Sequence, residues 1–107
     1  MIYTVFVSEK AEQDLEEIYE YIQNQSSRER AGQIIGAMRE IFTNLTEFPE
    51  RGNIPKEFFE LGVTLYREAH FKPYRILYRI VNNTVRVTGV FDGRRDMVTL
   101  LEQRLLR

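Results

Sequence analysis

The chain has 107 residues, 43% of them hydrophobic and 29% charged, with a net charge of −1. That is enough to bury a core as one domain spanning residues 1–107, and the composition is that of a soluble globular protein rather than a disordered one. The absence of cysteine excludes disulfides and thiolate chemistry, and no apolar run approaches the ~20 residues needed to cross a bilayer.

Ile2–Val7 is a short β-branched and aromatic run, hence a strand. The N-terminus lacks the basic region and cleavage site of a secretion signal, so a cytoplasmic protein with no membrane partner is expected. Ser8 can cap a helix whose apolar positions Ala11, Leu15, Ile18 and Ile22 step by three and four. Its other side carries Glu12, Glu16, Glu17 and Glu20, and Asn24-Gln25 ends it. Ser26 with Glu29 resembles a capping box for a second helix, with Ala31, Ile34, Met38, Ile41, Leu45 and Phe48 as its stripe and Pro49 past its end.

Residues 50–62 read as a loop with one helical turn near Lys56–Glu60, and Val63–Ala69 as a strand turning at His70–Pro73. From Tyr74 to Phe91 the sequence describes a hairpin about Asn82-Asn83, a pair able to take positive φ. Strict alternation pairs Arg79 with Arg86, Leu77 with Thr88 and Arg75 with Val90. It puts Tyr74, Ile76, Tyr78, Ile80, Val85, Val87, Gly89 and Phe91 on one face, and Arg75, Leu77, Arg79, Arg86, Thr88 and Val90 on the other. Gly93 then breaks the strand, and Asp96 can cap a closing helix. The expected fold is α+β: an N-terminal strand, an α-helical hairpin packed on an antiparallel sheet of about four strands, and a C-terminal helix. The helices should cover one sheet face and leave the arginine face wet.

Charge is divided along the chain. Residues 1–50 hold four Lys/Arg against ten Asp/Glu, a balance of −6, and residues 51–107 hold eleven against six, a balance of +5. An acidic helical half and a basic sheet half make a dipolar molecule, whose basic side attracts anionic partners.

Several segments together resemble the RelE/ParE superfamily of small bacterial toxins. They are Ala11-x-x-Asp14-Leu15-x-x-Ile18-x-x-Tyr21-Ile22, Leu45-x-x-Phe48-Pro49-x-x-Gly52, Tyr74-Arg75-Ile76-Leu77-Tyr78, and Val90-Phe91-Asp92-Gly93-Arg94-Arg95-Asp96 leading into Leu100-Leu101-x-x-Arg104-Leu105. The resemblance, closer to the ParE branch, implies a toxin of a type II toxin–antitoxin system that stabilises plasmids. It implies neutralisation by a cognate antitoxin, with operator DNA bound only through that antitoxin. RelE-like members cut messenger RNA on the ribosome, whereas ParE-like members poison DNA gyrase and block replication.

Metal-free RNA cleavage needs a base, cations on the phosphate and an acid. By resemblance Arg75 and Arg95 match phosphate-contacting arginines, and Arg67 can stand for the first of two RelE lysines. The second lysine is missing, since Glu68-Ala69 follows, and the late tyrosine falls at Leu101. Tyr66 and His70 are conceivable replacements; a lone histidine in a turn is more often a solvated loop residue. The sequence pI of about 5.9 also opposes insertion among ribosomal phosphates. Gyrase poisoning is therefore expected, with the ribosome-dependent endoribonuclease as the alternative and a non-toxic binding module as the third reading. No cofactor or metal is expected. The binding face is expected to comprise Arg67, Arg75, Arg79, Arg86, Arg94 and Arg95, with Arg75, Arg79 and Arg86 projecting together and no proton donor beside them. Phe58, Phe59 and Leu61 are expected apolar contacts for the antitoxin.

Overall fold

The computed structural model describes residues 2–60 and 62–105. The order is β1 (Thr4–Val7), α1 (Glu9–Gln25), α2 (Arg28–Asn44), α3 (Lys56–Phe59), β2 (Tyr66–Phe71), β3 (Tyr74–Val81), β4 (Thr84–Asp92) and α4 (Met97–Leu105). Ser8 caps α1 as expected, its hydroxyl accepting from the Ala11 amide at 3.1 Å. The second cap falls one residue later than the sequence suggested. The Ser26 amide closes α1 on Ile22, which leaves Ser27 to cap α2 by accepting from Arg30. Phe48 lies beyond the end of α2 and is exposed rather than part of its stripe.

The sheet order is β1-β4-β3-β2, and β1 runs parallel to β4 while the other pairs are antiparallel. The sheet is thus mixed rather than wholly antiparallel. The strand expected at Val63–Ala69 begins at Tyr66 and runs on to Phe71. Asn82 takes φ 55° in the hairpin turn, and Val81 pairs with Thr84 and Arg79 with Arg86 as alternation required.

Beyond that point the hairpin departs from strict alternation. Tyr78 pairs with Val87 but Leu77 pairs with Gly89, so Thr88 is an extra residue, a β-bulge. The remainder of β4 changes face in consequence. Val90 joins Tyr74, Ile76, Tyr78, Val85 and Val87 in the main core, against Ala11, Leu15, Met38, Phe42 and Leu45 of the helical hairpin. Phe91 crosses to the other side and meets Leu77, Phe58, Met97 and Leu101 in a second, smaller core. The face expected to stay wet is therefore half covered, by α3 and α4. Only the part toward the 82–83 turn remains open.

Candidate functional site

The bulge frees backbone groups that three side chains satisfy. Arg104 donates to the Thr88 carbonyl at 3.0 Å, the Ser8 hydroxyl donates to the same oxygen at 3.4 Å, and Asp14 accepts from the Val90 amide at 3.0 Å. Arg104 also pairs with both Asp14 oxygens and lies 4.9 Å from the Phe91 ring centroid. These motif residues hold α1, β4 and α4 together rather than facing a ligand.

The segment after α2 is anchored similarly. The Tyr78 hydroxyl donates to the Pro49 carbonyl at 2.7 Å and accepts from the Gly52 amide at 3.0 Å. A Cβ at Gly52 would stand 2.5 Å from the Glu68 carbonyl oxygen and 2.6 Å from that hydroxyl, so the approach needs glycine. Arg67 alternates onto the helical-hairpin side of β2, where it donates to the carbonyls of Glu50 and Gly52 at 3.1 and 2.7 Å. It braces this loop and is separated from the other sheet arginines by the sheet itself.

Arg75, Arg79 and Arg86 do share one side of the sheet, but their surroundings differ. Arg75 lies beneath α3, where its two terminal nitrogens donate to Glu57 at 3.0 and 2.7 Å and its Nε donates to Glu68. Glu68 is 5% exposed and also accepts from Asn53 at 3.0 Å. Arg75 holds the Glu57 carboxyl below the usual carboxylate range, and the two carboxylates make the guanidinium still harder to deprotonate. Sequence reading missed this triad because Glu57 and Glu68 stand eighteen and seven residues away from Arg75.

An imidazole and a phenol also lie nearer these arginines than expected. His70 sits within β2 opposite Arg75, half exposed, its Nε2 3.3 Å from Glu68 Oε1. Tyr66 faces Arg79, whose guanidinium carbon is 5.9 Å from the ring centroid. Tyr74 and Tyr78 point into the main core, and burial pushes both phenols above their ordinary value.

Arg86 is exposed and lies 5.1 Å from the centroid of the half-exposed Phe6 ring. At the β4–α4 junction Arg94 is spent on Asp92, with contacts of 2.9 and 2.6 Å that lower the Asp92 pKa. Arg95 is exposed, and no carboxylate among the described residues pairs with it. Phe58 is buried in the second core, whereas Phe59 is 68% exposed; Leu61 lies outside the described residues. Among the described residues no cluster of three His, Asp or Glu could hold a metal, and no helix is long and apolar enough to cross a membrane.

The chain matches, over residues 5–97, the family model described as the ParE toxin of type II toxin–antitoxin system, parDE. No curated protein sequence matches it. Among solved structures it resembles a chain of the chromosomal ParDE system from P. aeruginosa, with TM-score 0.72 and 17% identity, covering 85% of this chain and 96% of that one. A chain of the RelBE2 toxin–antitoxin complex from Mycobacterium tuberculosis gives TM-score 0.62 and 24% identity over 86% and 99% of the two chains. A mutant of the E. coli toxin RelE in the free state gives 0.63 and 14% over 94% and 93%.

Proposed function

The chain belongs to the ParE toxin family of type II toxin–antitoxin systems, and on that premise we propose that it poisons DNA gyrase rather than cutting messenger RNA. The observation that carries this reading is the state of Arg75. A cation that stabilises a scissile phosphate must keep donors free to meet it. Three of the five N–H donors of Arg75, one on each nitrogen, are engaged by Glu57 and Glu68 beneath α3, and the two carboxylates already balance its charge. Removing it from that setting would leave two carboxylates uncompensated in a part-buried site, which is costly.

Arg95, exposed and without a carboxylate, is the motif cation best placed to meet a target, at a strand-to-helix junction of the kind that carries function. A cognate antitoxin neutralises the protein in the cytoplasm, and exposed Phe59 supplies one apolar contact to it. The operator sequence is recognised only through the antitoxin.

A second reading, RelE-like cleavage, draws support from His70 standing opposite Arg75 in the sheet. Against it, the Glu68 carboxylate lies 3.3 Å from the imidazole and would repel a phosphate brought to it. The test adds purified toxin to a gyrase supercoiling reaction and to a translating ribosome extract. Inhibited supercoiling with accumulated cleaved DNA and intact message is the expected result. Cleaved message with normal supercoiling would overturn the proposal, and inertness in both would leave the fold a binding module.

A further inference from the structure

We propose that the open half of the sheet binds the phosphodiester backbone of DNA, so that the toxin grips the nucleic acid held by its target enzyme as well as the enzyme. This rests on the gyrase reading and names a contact that it does not contain. The register places Phe6 beside Arg86, Arg86 beside Arg79, and Arg79 beside Tyr66, one residue from each strand. With strands about 4.8 Å apart, the row spans about 14 Å.

Two like charges directly opposite on a sheet repel, and here each guanidinium leans outward over the aromatic ring of the outer strand, at 5.1 and 5.9 Å. Stacking of this kind fixes the plane of the guanidinium and leaves its N–H edge unspent. Arg39, Arg75, Arg94 and Arg104 all have carboxylates; among the described residues Arg79 and Arg86 have none. The neighbours toward the hairpin turn are Val81 and the hydroxyls of Thr4 and Thr84, so no acidic side chain of these strands competes for an anion there.

An anionic strand suits this row better than an acidic helix does. A docking helix buries an apolar stripe, and the two rings that would receive one already lie under guanidinium groups. Phosphates need only the cationic edges, which the stacked guanidinium groups still present. The net charge of −1 does not oppose this contact. The exposed carboxylates Glu16, Glu17 and Glu20 stand on α1, which packs on the other face of the sheet. Screening over about 8 Å at physiological salt weakens what such exposed charges do to the arginine row.

The test compares wild type with the double variant Arg79→Gln/Arg86→Gln, binding each to gyrase with and without a short DNA duplex over a range of salt. We expect equal affinity without DNA. With DNA, the wild type should gain affinity, and the variant should lose that gain by about tenfold, with a salt slope smaller by about 2. Arg79→Lys/Arg86→Lys should keep most of the slope, which separates lost charge from lost folding. Equal weakening of the Gln variant without DNA would overturn the proposal in favour of a protein interface, and no weakening in either arm would overturn it outright. If wild type fails to bind gyrase, the gyrase reading falls and the toxin alone on a labelled duplex decides. Salt-dependent binding lost in the variant upholds the phosphate contact, and its absence overturns it.

Discussion

Arg104, near the end of the last helix, holds both oxygens of Asp14 in the first helix, at 3.0 and 2.9 Å across ninety residues of sequence. Both side chains are largely buried, and the pair also satisfies the backbone freed by the Thr88 bulge.

Removing either partner leaves a charge uncompensated in a place with little water. Asp14→Asn and Arg104→Met should each destabilise the fold by about 2–3 kcal/mol. The double variant should cost less than the sum of the two. Urea denaturation of the four proteins checks this, and additive losses would show that the pair is not coupled.

The Glu57–Arg75 contact makes stability depend on pH in one direction. The folded pKa of Glu57 lies below its unfolded value of about 4.3. Its contribution is therefore complete above that value and is lost as pH falls through the folded pKa. Thermal melts between neutral pH and about pH 3 should show a steeper acid loss for wild type than for Glu57→Gln. Parallel curves would remove Glu57 from the acid response.

Arg75 and Arg95 should separate in mutagenesis. Arg75→Ala should destabilise by about 3 kcal/mol, because Glu57 and Glu68 lose their cation. Replacing the triad together, Glu57→Gln/Glu68→Gln/Arg75→Met, should restore folding and growth inhibition. Arg95→Ala should reduce growth inhibition while shifting stability by no more than about 0.5 kcal/mol. Melting temperatures alongside growth curves decide, and a folded but harmless triad variant would return Arg75 to the target site.

Tyr78→Phe should cost about 1–3 kcal/mol, since it leaves the Pro49 carbonyl and the Gly52 amide without their partner. Gly52→Ala should cost at least as much, because the added methyl meets a backbone oxygen that cannot yield. Denaturation midpoints of the two variants provide the measurement.

The elements were largely legible because periodicity and capping are local. Ser8 and the Ala11, Leu15, Ile22 stripe marked the first helix, and Asn82-Asn83 marked the hairpin. Ser26 and Ser27 offered the same chemistry at adjacent positions, and only the closing bond from the Ser26 amide to Ile22 decides between them. The one local sign of the Thr88 bulge is Gly89 inside the strand, and strict alternation passed over it, so Val90 and Phe91 were placed on the wrong faces. The arginines of the sheet were legible as a group. Their division into a buried, neutralised Arg75 and an open Arg79–Arg86 pair depends on acids distant in sequence, and so on the folded chain.

The extra residue at Thr88 has a consequence for how the molecule comes apart. It lets one strand supply two apolar layers that share no side chain, a large one under the helical hairpin and a small one under α4. Opening free energy follows the apolar contact that is lost. The terminal helix can therefore peel away with its few residues while the β3–β4 ladder stays closed, and its amides should exchange with deuterium well before those of Ile76 and Tyr78.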